Sequence, residues 1–290
     1  MRTHSESIPC ISVRPSYFTI YNQCASGRSR SRAQYENEKN LRNNDHGGRI
    51  SFKARKRISQ GIDWLLYISS EQEFTHFKFK RKYRFKVNFI TLTLASKQIH
   101  SDQIIKSELL NQLLIESKLK WNVTEYLWRA EPQRNGNIHF HILTNKFIPW
   151  SELRNTWNRI QDKLGYLQRS KHYRDGWQPN STDVHSVRKV KNLSAYLGKY
   201  CTKQSNVRKI EGNNWGLSQG LSRMKSGRDL RFNDIEREIR KVRDLMPEVI
   251  KEYEYATVFY ISSEELKKIG CLSIVGILDE YVEEVRIESG

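Results

Sequence analysis

Hydrophobic and polar positions change their period several times along the chain, and the changes outline a domain. Residues 88–95 (NFITLTLA) are apolar and β-branched, which predicts a strand. Over 101–118, Ile104, Ile105, Leu109 and Leu113 recur at helical spacing behind Ser101, a residue suited to cap a helix. Residues 123–131 alternate again, with Tyr126, Trp128 and Ala130 on one face. The segment 132–137 (PQRNGN) is turn chemistry, and 138–144 alternates a third time, so 123–144 reads as a β-hairpin. A helix at 150–164 opened by Ser151, a strand at 182–187 and a short helix at 191–203 follow. The order βαββαβ and a last helix predicts an α+β domain, a mainly antiparallel sheet with helices on one face.

The flanks read differently. Residues 1 to about 85 have no clean period, and 26–48 is rich in Ser, Arg, Asn and Gly, a mobile basic arm. Within 78–86 the cations alternate with Phe79, Tyr83 and Phe85, after Phe77. That pattern suits either stacking on a single strand or an edge strand kept apart by lysines. Beyond 205 the chain is Gly, Arg and Asn rich to 227. Helices at 232–245 and 262–269 follow, with a strand at 255–261 between them and an acidic last fifty residues. The expected organisation is a basic, partly disordered N-terminal extension (1–86), a central domain (87–205) and a mostly helical C-terminal extension (206–290).

Charge narrows the partner. The 290 residues hold 50 Lys and Arg against 32 Asp and Glu, a net +18 and a pI near 9.7. An excess of that size favours a polyanion, and seven Trp with fourteen Tyr offer rings to stack on bases. The cysteines, Cys10, Cys24, Cys201 and Cys271, form no Cys-x-x-Cys pair, which disfavours a zinc finger and fits reduced thiols in a cytoplasm. The start is polar and broken by Pro9, unlike a secretory signal, and the longest apolar stretch, 271–278, is too short to cross a bilayer. The expectation is a soluble cytoplasmic protein with no membrane partner.

Two clusters carry chemistry. On strand 138–144, Ile138, Phe140 and Ile142 face the helices, so His139 and His141 share the opposite face. Glu131 ends the preceding strand, within cross-strand reach of His139. Two imidazoles and a carboxylate make a three-ligand face suited to Mg²⁺ or Mn²⁺, although raw affinity favours other transition ions. Asp183 and His185 share a face of strand 182–187 and form a weaker alternative. On helix 191–203, Leu193, Leu197 and Cys201 form the packing row, and Tyr196 and Tyr200 the adjacent one, bordered by Lys199. A phenol is a weak nucleophile that a nearby metal or lysine activates.

Together these residues resemble the HUH endonuclease superfamily, specifically the rolling-circle replication initiators of small plasmids and single-stranded DNA phages. The strand Phe89-Ile90-Thr91-Leu92-Thr93-Leu94 is similar to the first family motif. Ile138-His139-Phe140-His141-Ile142-Leu143, with Glu131 and the Asn135-Gly136 turn, resembles the metal motif. Ser194-Ala195-Tyr196-Leu197-Gly198-Lys199-Tyr200 resembles the tyrosine motif in its two-tyrosine form. The resemblance covers about 87–203. It implies a five-stranded, RRM/ferredoxin-like HUH fold and a site-specific nickase and ligase acting on single-stranded or hairpin origin DNA. Tyr196 or Tyr200 would attack and keep the 5′ phosphate, with Lys199 beside them, and His139, His141 and Glu131 would hold Mg²⁺ or Mn²⁺. A Gly-x-x-x-x-Gly-Lys-Ser/Thr loop is missing, so unwinding falls to a host helicase, with a host polymerase in a bacterial cytoplasm. Asn135 stands where relaxases carry a third histidine, which disfavours a relaxase. The reading from another class is a non-catalytic single-strand-binding protein on an RRM-like sheet.

Overall fold

The computed structural model describes residues 7–24, 50–75, 80, 82–186, 193–202, 207–224, 228–231 and 235–288. The expected basic arm at 26–48 lies outside them, as do Phe77 and Phe79. In chain order the strands are β1 (Ser7–Arg14), β2 (Tyr17–Cys24), β3 (Gln72–Thr75), β4 (Lys82–Phe85), β5 (Asn88–Leu92), β6 (Tyr126–Pro132), β7 (Ile138–Thr144), β8 (Thr182–Ser186), β9 (Trp215–Leu217), β10 (Arg228–Arg231), β11 (Ile250–Tyr253) and β12 (Ala256–Phe259). The main helices are α1 (Phe52–Ile68), α2 (102–121), α3 (Trp150–Asp162), α4 (Leu193–Thr202), α5 (Glu236–Leu245), α6 (Ser263–Lys268) and α7 (Leu272–Ile287). The chain divides into two compact units, residues 46–223 and residues 1–45 with 224–290.

The unit 46–223 is built on a five-stranded antiparallel sheet in the order β8-β5-β7-β6-β9. Its α+β class is the one the alternation predicts. The fifth strand, β9, comes from beyond residue 205 and pairs with β6. One face carries Ile90, Leu92, Ala130, Ile138, Phe140 and Ile142, packed against Ile105, Leu109 and Leu113 of α2 and Leu153, Trp157 and Ile160 of α3. Ser101 caps α2 by accepting from the Ile104 N–H, and the middle turn, Ile105–Leu110, widens to π-type bonding. α3 begins at Trp150, where the Pro149 carbonyl takes the Leu153 N–H, so Ser151 lies inside the first turn instead of capping it.

The second face carries α1, a helix that the pattern of residues 1–85 does not announce. Ser51 caps it, and Ile58, Ile62 and Leu65 form its buried row with Trp64. Gly61 lets α1 approach closely: a Cβ there would lie 2.8 Å from the Leu217 side chain and 3.4 Å from that of Leu127. Arg57 fixes the helix by donating to the Leu221 and Ser222 carbonyls at 2.7 and 2.9 Å. α1 also packs along α4.

The terminal unit is a second antiparallel five-stranded sheet, β10-β1-β2-β12-β11, in which the two ends of the chain pair through β2 and β12. Ile11, Val13, Phe18 and Phe259 form its buried face, with Phe18 and Phe259 stacked at 4.3 Å. α7 packs on β1, burying Ile274, Val275 and Leu278.

Candidate functional site

β7 is the middle strand of its sheet, and both histidines sit on it. Strand register places Glu131 directly across from His139, and Arg129 and Thr91 on either side of His141. Residues paired across an antiparallel sheet share a face, so all five side chains leave the sheet on the side away from α2 and α3. The register depends on the 132–137 turn, which is pinned from several directions. Gly136 adopts φ 84°, a left-handed value glycine takes without strain. Gln98 accepts from the Ile138 N–H at 2.6 Å and donates its own N–H to the Asn137 side chain at 2.9 Å. Arg208 donates to the Gly136 carbonyl at 2.6 Å while gripping Asp102 with both terminal nitrogens at 2.6 and 2.7 Å.

The expected ligands converge. One nitrogen from each of His139 and His141 and one oxygen of Glu131 all lie within 4.8 Å of one another, the one such cluster among the described residues. Nε2 of His139 is 3.8 Å and Nε2 of His141 is 4.0 Å from Oε2 of Glu131, too far for hydrogen bonds. Both ring nitrogens of His139 and Oε1 of Glu131 are buried and have no hydrogen-bond partner. Buried polar atoms are seldom left so, and two imidazole nitrogens with a carboxylate are a donor set that a divalent cation fits.

Neighbours hold the ligands in place. Thr91 Oγ1 lies 3.1 Å from Nδ1 of His141, which turns Nε2 toward Glu131. A partner on the distal ring nitrogen is what fixes a metal-binding histidine's tautomer. Phe89 stacks on the same ring at 5.2 Å. Burial works against ionisation of Glu131, but the attraction of His139 and the charges of His141 and Arg129 outweigh it and hold the carboxyl below its usual range. The ionised form is the one that ligates a metal. Arg129 is itself buried, donating to the Ala130 and Asn214 carbonyls at 2.6 and 2.8 Å, with Nε 4.0 Å from Glu131.

The tyrosine helix lies over this face. Leu197 and Cys201 of α4 are fully buried, as the packing row requires. Burial and the nearby Glu131 carboxylate push the Cys201 thiol up to about 12, against a smaller pull from Arg129. The thiol therefore stays protonated, and its sensitivity to both charges places α4 above Glu131 and Arg129. Tyr196 is 38% exposed and Lys199 is exposed on the outer side of the helix. Tyr200 occupies its expected helical position, and its side chain lies outside the described residues. Asp183 pairs with Thr91 across the sheet and joins no ligand cluster, while the side chain of His185 lies outside the described residues.

Thr91, Phe89, Arg129 and Cys201 are the site's neighbours that the residue pattern alone did not single out. Among the described residues no helix is long and apolar enough to cross a membrane. Residues 87–205 match the family model described as replication-associated protein ORF2, a match consistent with a replication initiator of the Rep type. No curated protein and no solved structure matches the chain. The matched segment holds every candidate ligand and tyrosine and leaves out α1 and β9.

Proposed function

We propose that the protein is a replication initiator endonuclease of the HUH type, two-tyrosine form. It nicks single-stranded or hairpin origin DNA and later rejoins the strand in rolling-circle replication. The observation that carries this reading is the convergence of Glu131, His139 and His141 beneath the helix that bears Tyr196. The match of 87–205 to a replication-associated family supports it.

His139, His141 and Glu131 would hold Mg²⁺ or Mn²⁺. When bound, the ion supplies Lewis-acid polarisation of the scissile phosphate. Thr91 and Phe89 keep the His141 ring in its plane. Tyr196 or Tyr200 provides the attacking oxygen. A phenol-oxygen-to-phosphorus bond forms in line, the bond from phosphorus to the 3′ oxygen breaks, and the phenol proton ends on that 3′ oxygen. Lys199 holds the phosphate as a point charge. The phosphotyrosine ester conserves the energy of the broken link, so the reverse attack by a 3′ hydroxyl reseals DNA without ATP. A second tyrosine permits a second cleavage while the first remains linked. A host helicase and polymerase would complete the cycle in a bacterial cytoplasm.

The test uses a 5′- or 3′-labelled single-stranded origin oligonucleotide and Mn²⁺, resolved on a denaturing gel. A shortened fragment carrying the 5′ label and a covalent protein–DNA band carrying the 3′ label are expected. Peptide mass spectrometry should map the adduct to Tyr196 or Tyr200. His141→Ala should remove both products. Binding without cleavage or adduct in the wild-type protein would leave only the single-strand-binding reading.

A further inference from the structure

We infer that the start of α1, with Phe52, Lys53, Arg55 and Lys56, is a single-stranded DNA surface that the matched family segment does not contain. The inference deepens the function proposed above and rests on it for the identity of the polyanion.

The charge of the molecule is unevenly placed. Residues 46–223 hold 32 Lys and Arg against 13 Asp and Glu, while the other unit holds 18 against 19. Within the basic unit, α1 concentrates four cations in its first six residues and has no acid in its first turn. Cations at a helix N-terminus oppose the helix dipole, so this placement works against the helix itself. Structure accounts for one of the four, since Arg57 is spent on the Leu221 and Ser222 carbonyls. Lys53, Arg55 and Lys56 are exposed or half-buried at the surface.

An aromatic ring lies among them. Phe52 is 84% exposed, the most exposed of the large hydrophobic side chains in the described residues. Packing gives it no purpose, for the buried row of α1 runs through Ile58, Ile62 and Leu65. An open ring flanked by cations is the combination that binds a single strand, with a base on the ring and phosphates on the cations. The helix packs along α4, which carries Tyr196 and Lys199, so a strand held here can run toward the nucleophile helix.

The experiment measures binding of a fluorescein-labelled oligodeoxythymidine by the full chain, by anisotropy, across a salt titration. The triple variant Lys53→Gln, Arg55→Gln, Lys56→Gln should weaken binding and lower the slope of log affinity against log salt by about 2, near 0.7 for each lost phosphate contact. Phe52→Ala should weaken binding about tenfold with the slope unchanged, because stacking is not ionic. A control pair, Lys118→Gln with Lys171→Gln, removes exposed charge elsewhere on the unit and should change little. Thermal midpoints check that each variant folds, and Phe52→Ala gives a second readout should the triple variant unfold. A triple variant with wild-type affinity and slope, or a control that loses as much, overturns the surface. Cleavage by the wild type in either case keeps the endonuclease reading, whereas wild-type protein that neither binds nor cuts the DNA sinks both.

Discussion

The two units of this chain are the same architecture twice and differ in what their sheets present. Each is a five-stranded antiparallel sheet with one face buried under helices. Each also carries tyrosines. In the terminal unit the Tyr253 and Tyr260 hydroxyls are 3.4 Å apart, Lys251 lies over the Tyr260 ring at 5.4 Å, and Tyr17 is 6.1 Å from it. By ring count and nearby cations that face looks as ready for chemistry as α4. What it lacks, among the described residues, is a cluster of metal ligands, and its unit has no excess of positive charge. A fold and a phenol are therefore not enough. The chemistry rests on three side chains whose register on two strands brings them together.

The sharpest way to break the comparison is to exchange phenols for phenyl rings in both units. Tyr196→Phe with Tyr200→Phe should lower cleavage by about 10⁴-fold or more, the scale of losing a covalent nucleophile, and remove the adduct band. Tyr253→Phe with Tyr260→Phe should leave both unchanged on the same gel. Cleavage that survives the first pair, or falls with the second, would move the nucleophile out of α4.

The next step asks whether the sheets stand on their own cores. Phe140 and Phe18 are each almost completely buried in their own unit. Truncating a buried Phe to Ala costs about 3–5 kcal/mol. Phe140→Ala should destabilise the unit of the site and abolish Mn²⁺ binding measured by calorimetry. Phe18→Ala should cost its own unit as much in denaturant unfolding while leaving Mn²⁺ affinity at the wild-type value. Equal loss of metal binding in both would mean that the site depends on the terminal sheet.

A smaller effect tests how the site is held. Thr91→Val keeps the shape and removes the Oγ1 that lies beside Nδ1 of His141. Loss of such a partner typically weakens metal affinity about 10–100-fold. Calorimetric titration with Mn²⁺ should show that drop with the thermal midpoint little changed. An unaltered affinity would mean that Phe89 alone orients the ring.

Legibility in the sequence follows from how local each element is. The strand 138–144 is readable because one of its faces meets the core and the other meets polar neighbours, so alternation survives in the residues. Glu131 is findable because a short turn determines which residue stands opposite His139. α1 is hidden because its buried row, Ile58, Ile62 and Leu65, begins inside a basic run and is interrupted by Gly61. The glycine makes sense only once Leu127 and Leu217 lie beneath it. β9 is three residues long and is a strand because β6 offers it an edge. The terminal sheet joins β2 to β12, segments more than two hundred residues apart, and no local pattern encodes such a pairing. Thr91 belongs with these: nothing in its own strand says that a histidine fifty residues later will need a partner.

The smallest expected effect compares one carboxylate from each unit. Glu116 on α2 accepts from Arg159 at 2.6 Å, from Lys120 at 2.6 Å and from Gln112 at 2.9 Å. Glu236 on α5 has a partner in Arg240 at 2.7 Å, and both of those side chains are at least half exposed. Burial alone would raise the Glu116 carboxyl, but its Lys120, Arg159 and Gln112 partners lower it from 4.5 to about 2. A carboxyl depressed on folding stabilises the folded state above its unfolded value, and that stability is lost as pH falls through the folded value. The contribution of Glu116 should therefore be complete above pH 4.5 and decline toward pH 2. Most of the group still meets solvent, so screening limits it to about 1 kcal/mol. Glu116→Gln should lower the stability of its unit by that amount at pH 7, with the gap from wild type closing as the solution is acidified toward pH 2. Glu236→Gln should leave its own unit unchanged at every pH, because an isolated surface pair at i, i+4 gains little over its hydrated ions. A pH-independent gap for Glu116→Gln would assign its effect to packing against α3 and not to charge.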